Sequence, residues 1–215
     1  MGPVPTLHLP PPHCIQKLSP LTPHRISAFD FVLQTQSRYT NHNMKLIIIN
    51  GPSGVGKSTV AVQLHKDIPL SLLIDIDAWR RNISGYREHR EESLALAYQF
   101  TISVVDSYLK SGNSVIIDKA ILGNNSMLDA LVTLGKQHNA EIYEFVLFAD
   151  KEKVLARADE RGFRAESLLT REKVEELWEK ASKLMDERPD AVSIETNNIH
   201  QDDVYRTVKK IAFEH

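Results

Sequence analysis
From Lys45 to Asn50 the chain carries four aliphatic residues in succession with no polar face between them, the pattern of a strand buried on both sides of a parallel sheet. Gly51 ends it. Four more short runs rich in Ile, Val or Leu, at 71–76, 114–118, 141–148 and 191–195, repeat the pattern. Between them the apolar spacing changes to three and four. Leu94, Ala97, Thr101, Val105 and Tyr108 recur in this way before Gly112, as do Val174, Leu177, Trp178, Ala181 and Met185 before Pro189, and both series predict helices. Further helices are expected over 57–67, 125–137 and 202–213, with a charged helix after the fourth strand. Strict strand–helix alternation predicts an α/β three-layer sandwich: a five-stranded parallel sheet covered on both faces, with ligands at the carboxyl ends of its strands. No internal repeat is visible.

The first 43 residues do not follow this pattern. They hold seven of the ten prolines and four charged side chains, Lys17, Arg25, Asp30 and Arg38. Proline at that density removes backbone donors, so residues 1–43 read as an extended or disordered extension with at most a marginal helix over 26–33. They carry no secretory signal. An organelle transit peptide is one reading; a dispensable tail, or an extension upstream of a start at Met44, is the other and is favoured because Arg is sparse. Residues 44–215 are then the functional unit, one domain.

Charge and cysteine content narrow the classes of function. The 215 residues contain 26 Lys and Arg against 28 Asp and Glu, a formal charge of -2; from Met44 onwards the balance is 23 against 27. That balance argues against a long nucleic acid as partner. The single cysteine, Cys14, excludes an internal disulfide and fits a reducing, cytoplasmic setting. No apolar run approaches the roughly 20 residues of a membrane-spanning helix.

The strongest chemical signal is Gly51-Pro-Ser-Gly-Val-Gly-Lys-Ser58, which satisfies G-x-x-x-x-G-K-[ST] between a strand and a helix. By residue frequency alone the bare pattern arises in on the order of one chain in a hundred of this length, and its context makes chance rarer still. Gly51, Ser53, Gly54, Val55, Gly56, Lys57, Ser58 and Thr59 form the expected cradle for the phosphates of ATP. Backbone N–H groups from Gly54 to Ser58 converge on the anion at a helix start. Lys57 is expected on the β- and γ-phosphates and Ser58 on Mg²⁺.

Three other groups of residues can complete such a site. Asp75, Asp77 and Arg80 follow the second strand; Asp77 and Arg80, three apart, share a helical face and suit an acceptor base with a substrate anchor. Asp77 also suits a helix N-cap, and Asp75 a partner of Lys57 or an outer metal contact. Asp118, closing the third strand, can hold a Mg²⁺-bound water or begin a turn. Arg157, Arg161 and Arg164 form one helical stripe that Gly162 interrupts, so a lid over 157–169 is expected; the alternative is a solvated face paired with Asp159 and Glu160. The sequence argues against a GTPase, because no N/T-K-x-D element is present and the single D-x-x-G, Asp159 to Gly162, lies after the fourth strand.

From Lys45 to the C-terminal helix the sequence resembles P-loop kinases of the shikimate, gluconate and nucleotide kinase type. It is most similar to the branch with D-x-x-R after strand two, which includes chloramphenicol phosphotransferase, zeta-toxin kinases and polynucleotide 5'-kinases. The resemblance implies sheet order 2-3-1-4-5, Asp77 as acceptor-hydroxyl base, Arg80 on substrate, and Arg157 or Arg161 in a lid. Relatives often carry an arginine soon after the strand-three acid, where this chain has Lys119 and then Ala-Ile-Leu-Gly-Asn-Asn. The leading expectation is an ATP-dependent small-molecule kinase. A 5'-hydroxyl polynucleotide kinase, suggested by Arg80, Arg81, Arg87 and Arg90, and an ATP-binding regulatory module without transferase activity are the alternatives.

Overall fold
The computed structural model describes residues 44–163 and 169–214, and the expectations for the extension 1–43 and for Arg164 lie outside the described residues. Strands β1 (Lys45–Asn50), β2 (Leu72–Asp75), β3 (Val115–Asp118), β4 (Glu141–Phe148) and β5 (Val192–Glu195) form one parallel sheet of order β2-β3-β1-β4-β5. This is the α/β fold of P-loop NTPases. The central strand β1 is buried along its whole length, which explains its unbroken aliphatic run. Alternation divides it between two cores. Ile47 and Ile49 pack with Phe145 and Leu147 on one face, and Leu46 and Ile48 with Val115 and Ile117 on the other.

Seven helices are described: α1 (Lys57–Asp67), α2 (Ile76–Arg81), α3 (Arg90–Lys110), α4 (Asn125–Gln137), α5 (Lys151–Arg161), α6 (Arg171–Glu187) and α7 (Gln201–Phe213). Val60 and Leu64 of α1, Val154 and Ala158 of α5 and Val208 of α7 fill the first core; Val105 and Leu109 of α3 and Leu128 and Leu131 of α4 fill the second. Helix α6 reaches both, through Val174 and Leu184. Among the described residues no helix is long and apolar enough to cross a membrane.

Local chemistry corrects several boundaries. The strand expected over 71–76 ends at Asp75, because the Asp75 carboxylate accepts a hydrogen bond from Ala78 N at 2.9 Å and starts α2 at once. Helices α3 and α6 begin three or four residues before their first periodic apolar residue; Thr170 caps α6 through Lys173 N. At the end of β1, buried Asn50 accepts from Gly51 N and Ile121 N and donates to Ile121 O, at 2.8, 3.0 and 2.9 Å. Those three bonds hold the loop after β3 beside the loop after β1.

Candidate active site
The loop from Gly51 to Ser58 lies at the carboxyl end of β1. At Gly51 the backbone has φ 131°, and a Cβ there would come within 2.1 Å of Leu147 O, so the loop can leave the sheet only where no side chain exists. Gly56 precedes α1 with φ 93° and supplies no side-chain cap, so the first amides of that helix face the loop. Lys57 folds back over the loop and donates to Pro52 O at 2.8 Å. Burial pushes its ammonium down to about 8, opposed by Asp118 and Asp77 and assisted by Lys119 and Arg161. The loop is therefore an open anion cradle with a poorly solvated cation in it.

Ser58 stands beside Asp118, the residue that ends β3. Burial pushes the Asp118 carboxyl up, against the pull of the Ser58 hydroxyl and of Lys57. Asp75 lies in register with Asp118 on the adjacent strand. Among the described residues no three His, Cys, Asp or Glu converge to hold a metal ion by themselves. One hydroxyl beside one carboxylate is the donor set that suits a Mg²⁺ arriving with nucleotide phosphates and keeping several waters.

The wall facing the loop is built by α2. The N-cap of that helix is Asp75, which corrects the cap reading of Asp77. Asp75 also lies 3.7 Å from Arg81, and its carboxylate is engaged with the start of its own helix rather than with Lys57. Asp77, in the first turn, forms an ion pair with Lys119. Arg80 donates to Ser93 Oγ at 2.9 Å and to the carbonyl of Arg90, tying α2 to α3.

Arg157 and Arg161 both reach the phosphate loop from α5, by different routes. Arg157 donates to Thr196 O at 2.8 Å and lies 3.4 Å from Gly54 O, so it braces the loop against the end of β5. Arg161, one turn later and exposed, donates to Ser53 Oγ at 2.9 Å. Helix α5 ends there, with Gly162 at φ 75° following. Arg171, at the start of α6, is ion-paired back to Asp159. Residues 164–168 of the expected lid lie outside the described residues.

One cavity of about 860 Å³ collects these groups: the phosphate loop, Asp75, Asp77, Arg80, Asp118, Arg157 and Arg161 all line it. It also brings in residues that sequence reasoning did not single out for the site. Lys119 and Tyr98 stand near Asp77, and Thr196 and Ile199 near the loop after β5. Lys119 carried a usable signal, a cation directly after the strand-three acid; Thr196 carried none, since only the sheet order brings β5 beside α5.

The fold and the phosphate loop together are those of a P-loop NTPase. Residues 46–199 match the AAA domain family model, and the chain belongs to that family. Over 156 residues it is 29% identical to a guanylate kinase of Rhodopirellula baltica, covering 61% of this chain and 72% of that protein. Its fold is similar to that of the tunicamycin resistance protein of Deinococcus radiodurans, with a TM-score of 0.55 at 19% identity over 80% of this chain and 96% of the other. A gluconokinase from Sinorhizobium meliloti 1021 has a TM-score of 0.53 at 16% identity over 76% and 87% of the two chains.

Proposed function
We propose that this protein is a Mg²⁺-assisted, ATP-dependent phosphotransferase that moves the γ-phosphate to a hydroxyl of a small molecule. The observation that carries the reading is the presence of Asp77 in the same cavity as Lys57 and the phosphate loop. A nucleotide switch needs the loop alone; a transferase also needs a group that takes the acceptor's proton. Asp77 supplies it.

In this reading the amides at the start of α1 and the Lys57 ammonium hold the phosphates. Ser58 and Asp118 would hold Mg²⁺, which when bound would neutralise charge on the phosphate oxygens. Asp77 accepts the proton of the acceptor hydroxyl as that oxygen bonds to phosphorus; the bond from phosphorus to the bridging oxygen breaks and ADP leaves. Arg161, which donates to Ser53 Oγ of the loop, stabilises the charge on the transferred group in this reading. Arg157 keeps the loop in position. The charge balance from Met44 onwards supports a small acceptor over a long nucleic acid, and the lone cysteine supports a cytoplasmic setting.

A second reading, transfer to a nucleoside monophosphate, has the 29% likeness to a guanylate kinase in its favour. ADP release measured with a panel of sugars, nucleosides, nucleoside monophosphates and antibiotics separates the two. Acceptor-dependent ADP formation supports a kinase, and the acceptor that elicits it decides between hydroxyl and phosphate.

A further inference from the structure
Lys119 stands between the two sides of the cavity. Its backbone is fixed at the end of the sheet: its N–H donates to Ile49 O at 3.4 Å, and its carbonyl accepts from Ile121 N at 3.1 Å. Ile49 lies two residues before Gly51, so the lysine leaves the backbone beside the start of the phosphate loop. Its side chain lines the same cavity as that loop, and its ammonium is close enough for its charge to act on the ammonium of Lys57. Among the described residues its ionic partner is Asp77, on the wall built by α2. One lysine thus faces both the carboxylate on the acceptor side and the space beside Lys57 where a terminal phosphate lies in the proposed reading.

The two members of the pair are unequally placed. Lys119 is nearly buried, whereas Asp77 is half exposed. A buried ammonium needs an anion beside it at all times, while a half-exposed carboxylate regains water when it is released. Phosphate oxygens carry more charge than one carboxylate and form charge-assisted hydrogen bonds with an ammonium. The flexible stem of a lysine lets its point charge turn from one anion to another with the backbone still. The pair therefore opens at little cost when a phosphate takes the lysine, and at a large cost otherwise.

We propose that Lys119 is shared between Asp77 and the terminal phosphate of the bound nucleotide: it holds Asp77 in the free protein, and the γ-phosphate draws it away as ATP binds, releasing the carboxylate toward the acceptor. The inference rests on the reading of Asp77 as the acceptor's base and adds a coupling to it. Lys119 makes a contact to ATP that ADP lacks. Asp77 is fully available as a base only in the ATP-loaded protein.

The test is calorimetric binding of MgADP and of the Mg²⁺ complex of the β,γ-imido analogue of ATP to the full chain, to Lys119→Met, to Asp77→Asn and to the double variant. Lys119→Met is expected to weaken the triphosphate analogue by about tenfold or more, as the loss of one charge-assisted bond does, and ADP by less than about threefold. Asp77→Asn is expected to tighten the analogue by about threefold or more, because the phosphate no longer competes for the lysine, and this gain vanishes in the double variant. Lys119→Arg, which keeps the charge, retains part of the native preference for the triphosphate. Equal losses for the two nucleotides in Lys119→Met, no loss for the analogue, no gain in Asp77→Asn, or a gain that persists without Lys119 would overturn the proposal. Native protein that binds neither nucleotide would overturn it together with the nucleotide reading. Because no turnover is measured, an intact coupling in a protein that phosphorylates no acceptor would contradict the phosphotransferase reading alone.

Discussion

Lys119 holds the carboxylate of Asp77 across the ends of β3 and β2. The lysine side chain is 10% exposed and the aspartate side chain 50%, so the fixed partner is the buried one. The pair engages Oδ1 of Asp77. In the proposed reaction Oδ2 is the oxygen that takes the acceptor's proton.

Since Asp75 rather than Asp77 caps α2, charge and capping can be separated by mutation. Asp77→Asn is expected to lower kcat by roughly 10²-fold or more, the usual magnitude of general-base catalysis, with little change in melting temperature. Asp75→Ala instead loses the bond to Ala78 N and about 1 kcal/mol of stability. Steady-state rates and thermal melts of both variants check the pair. Normal turnover in Asp77→Asn would remove Asp77 from the reaction.

Gly51 and Gly56 are both at positive φ but differ in what surrounds them. A methyl group at Gly51 would meet Leu147 O at 2.1 Å, while one at Gly56 would meet nothing within 4 Å. Gly51→Ala is therefore expected to cost at least about 3 kcal/mol or to prevent folding. Gly56→Ala should show only the left-handed backbone penalty, about 1–2 kcal/mol. Denaturant titration of the two variants compares them directly.

The two arginines of α5 should also behave differently. Arg157→Ala removes a guanidinium from the Thr196 and Gly54 carbonyls and is expected to lower stability by about 1–3 kcal/mol as well as activity. Arg161 is exposed and bound to the loop only through Ser53 among its described contacts. Arg161→Ala should leave the melt nearly unchanged and reduce kcat by about 10²-fold, as the loss of one charge-stabilising donor does.

Much of this arrangement was legible in the chain itself. The phosphate loop is local in sequence, and the aliphatic runs of β1 and β3 are buried, so pattern and structure agree there. The sheet order was reached only through resemblance, because periodicity does not say which strands are neighbours. What could not be read depends on neighbours distant in sequence. The Lys119–Asp77 pair joins residues 42 positions apart, and Arg157 meets Thr196 across 39. The exchange of cap between Asp77 and Asp75 was illegible for a different reason: both residues are equally good caps, and the end of β2 decides between them.

Lys57 gives the site a pH dependence of definite sign. Its folded value of about 8 lies below the ordinary 10.5, so in the free protein the ammonium loses its charge as pH rises through about 8. Phosphate binding restores the proton. Affinity for MgATP is therefore expected to hold up to about pH 8 and then fall by up to about tenfold per pH unit, with proton uptake on binding. For the unliganded fold the sign is opposite. Between about 8 and 10.5 the unfolded chain binds more protons at this group, so the Lys57 contribution to stability rises with pH. Lys57→Arg, which does not titrate in this range, should flatten the affinity profile; an equally flat profile in the native protein up to pH 10 would contradict the burial of Lys57.

The central claim is phosphoryl transfer, and the most direct measurement is acceptor-dependent ADP formation by the purified chain with MgATP. The account predicts that at least one small hydroxyl compound raises ADP release well above the rate with water alone and emerges phosphorylated. It further predicts that Lys57→Ala abolishes this rate and that Asp77→Asn lowers it by about 10². ATP binding or hydrolysis that no acceptor in the panel changes, at the same rate in Asp77→Asn as in the native protein, would contradict it.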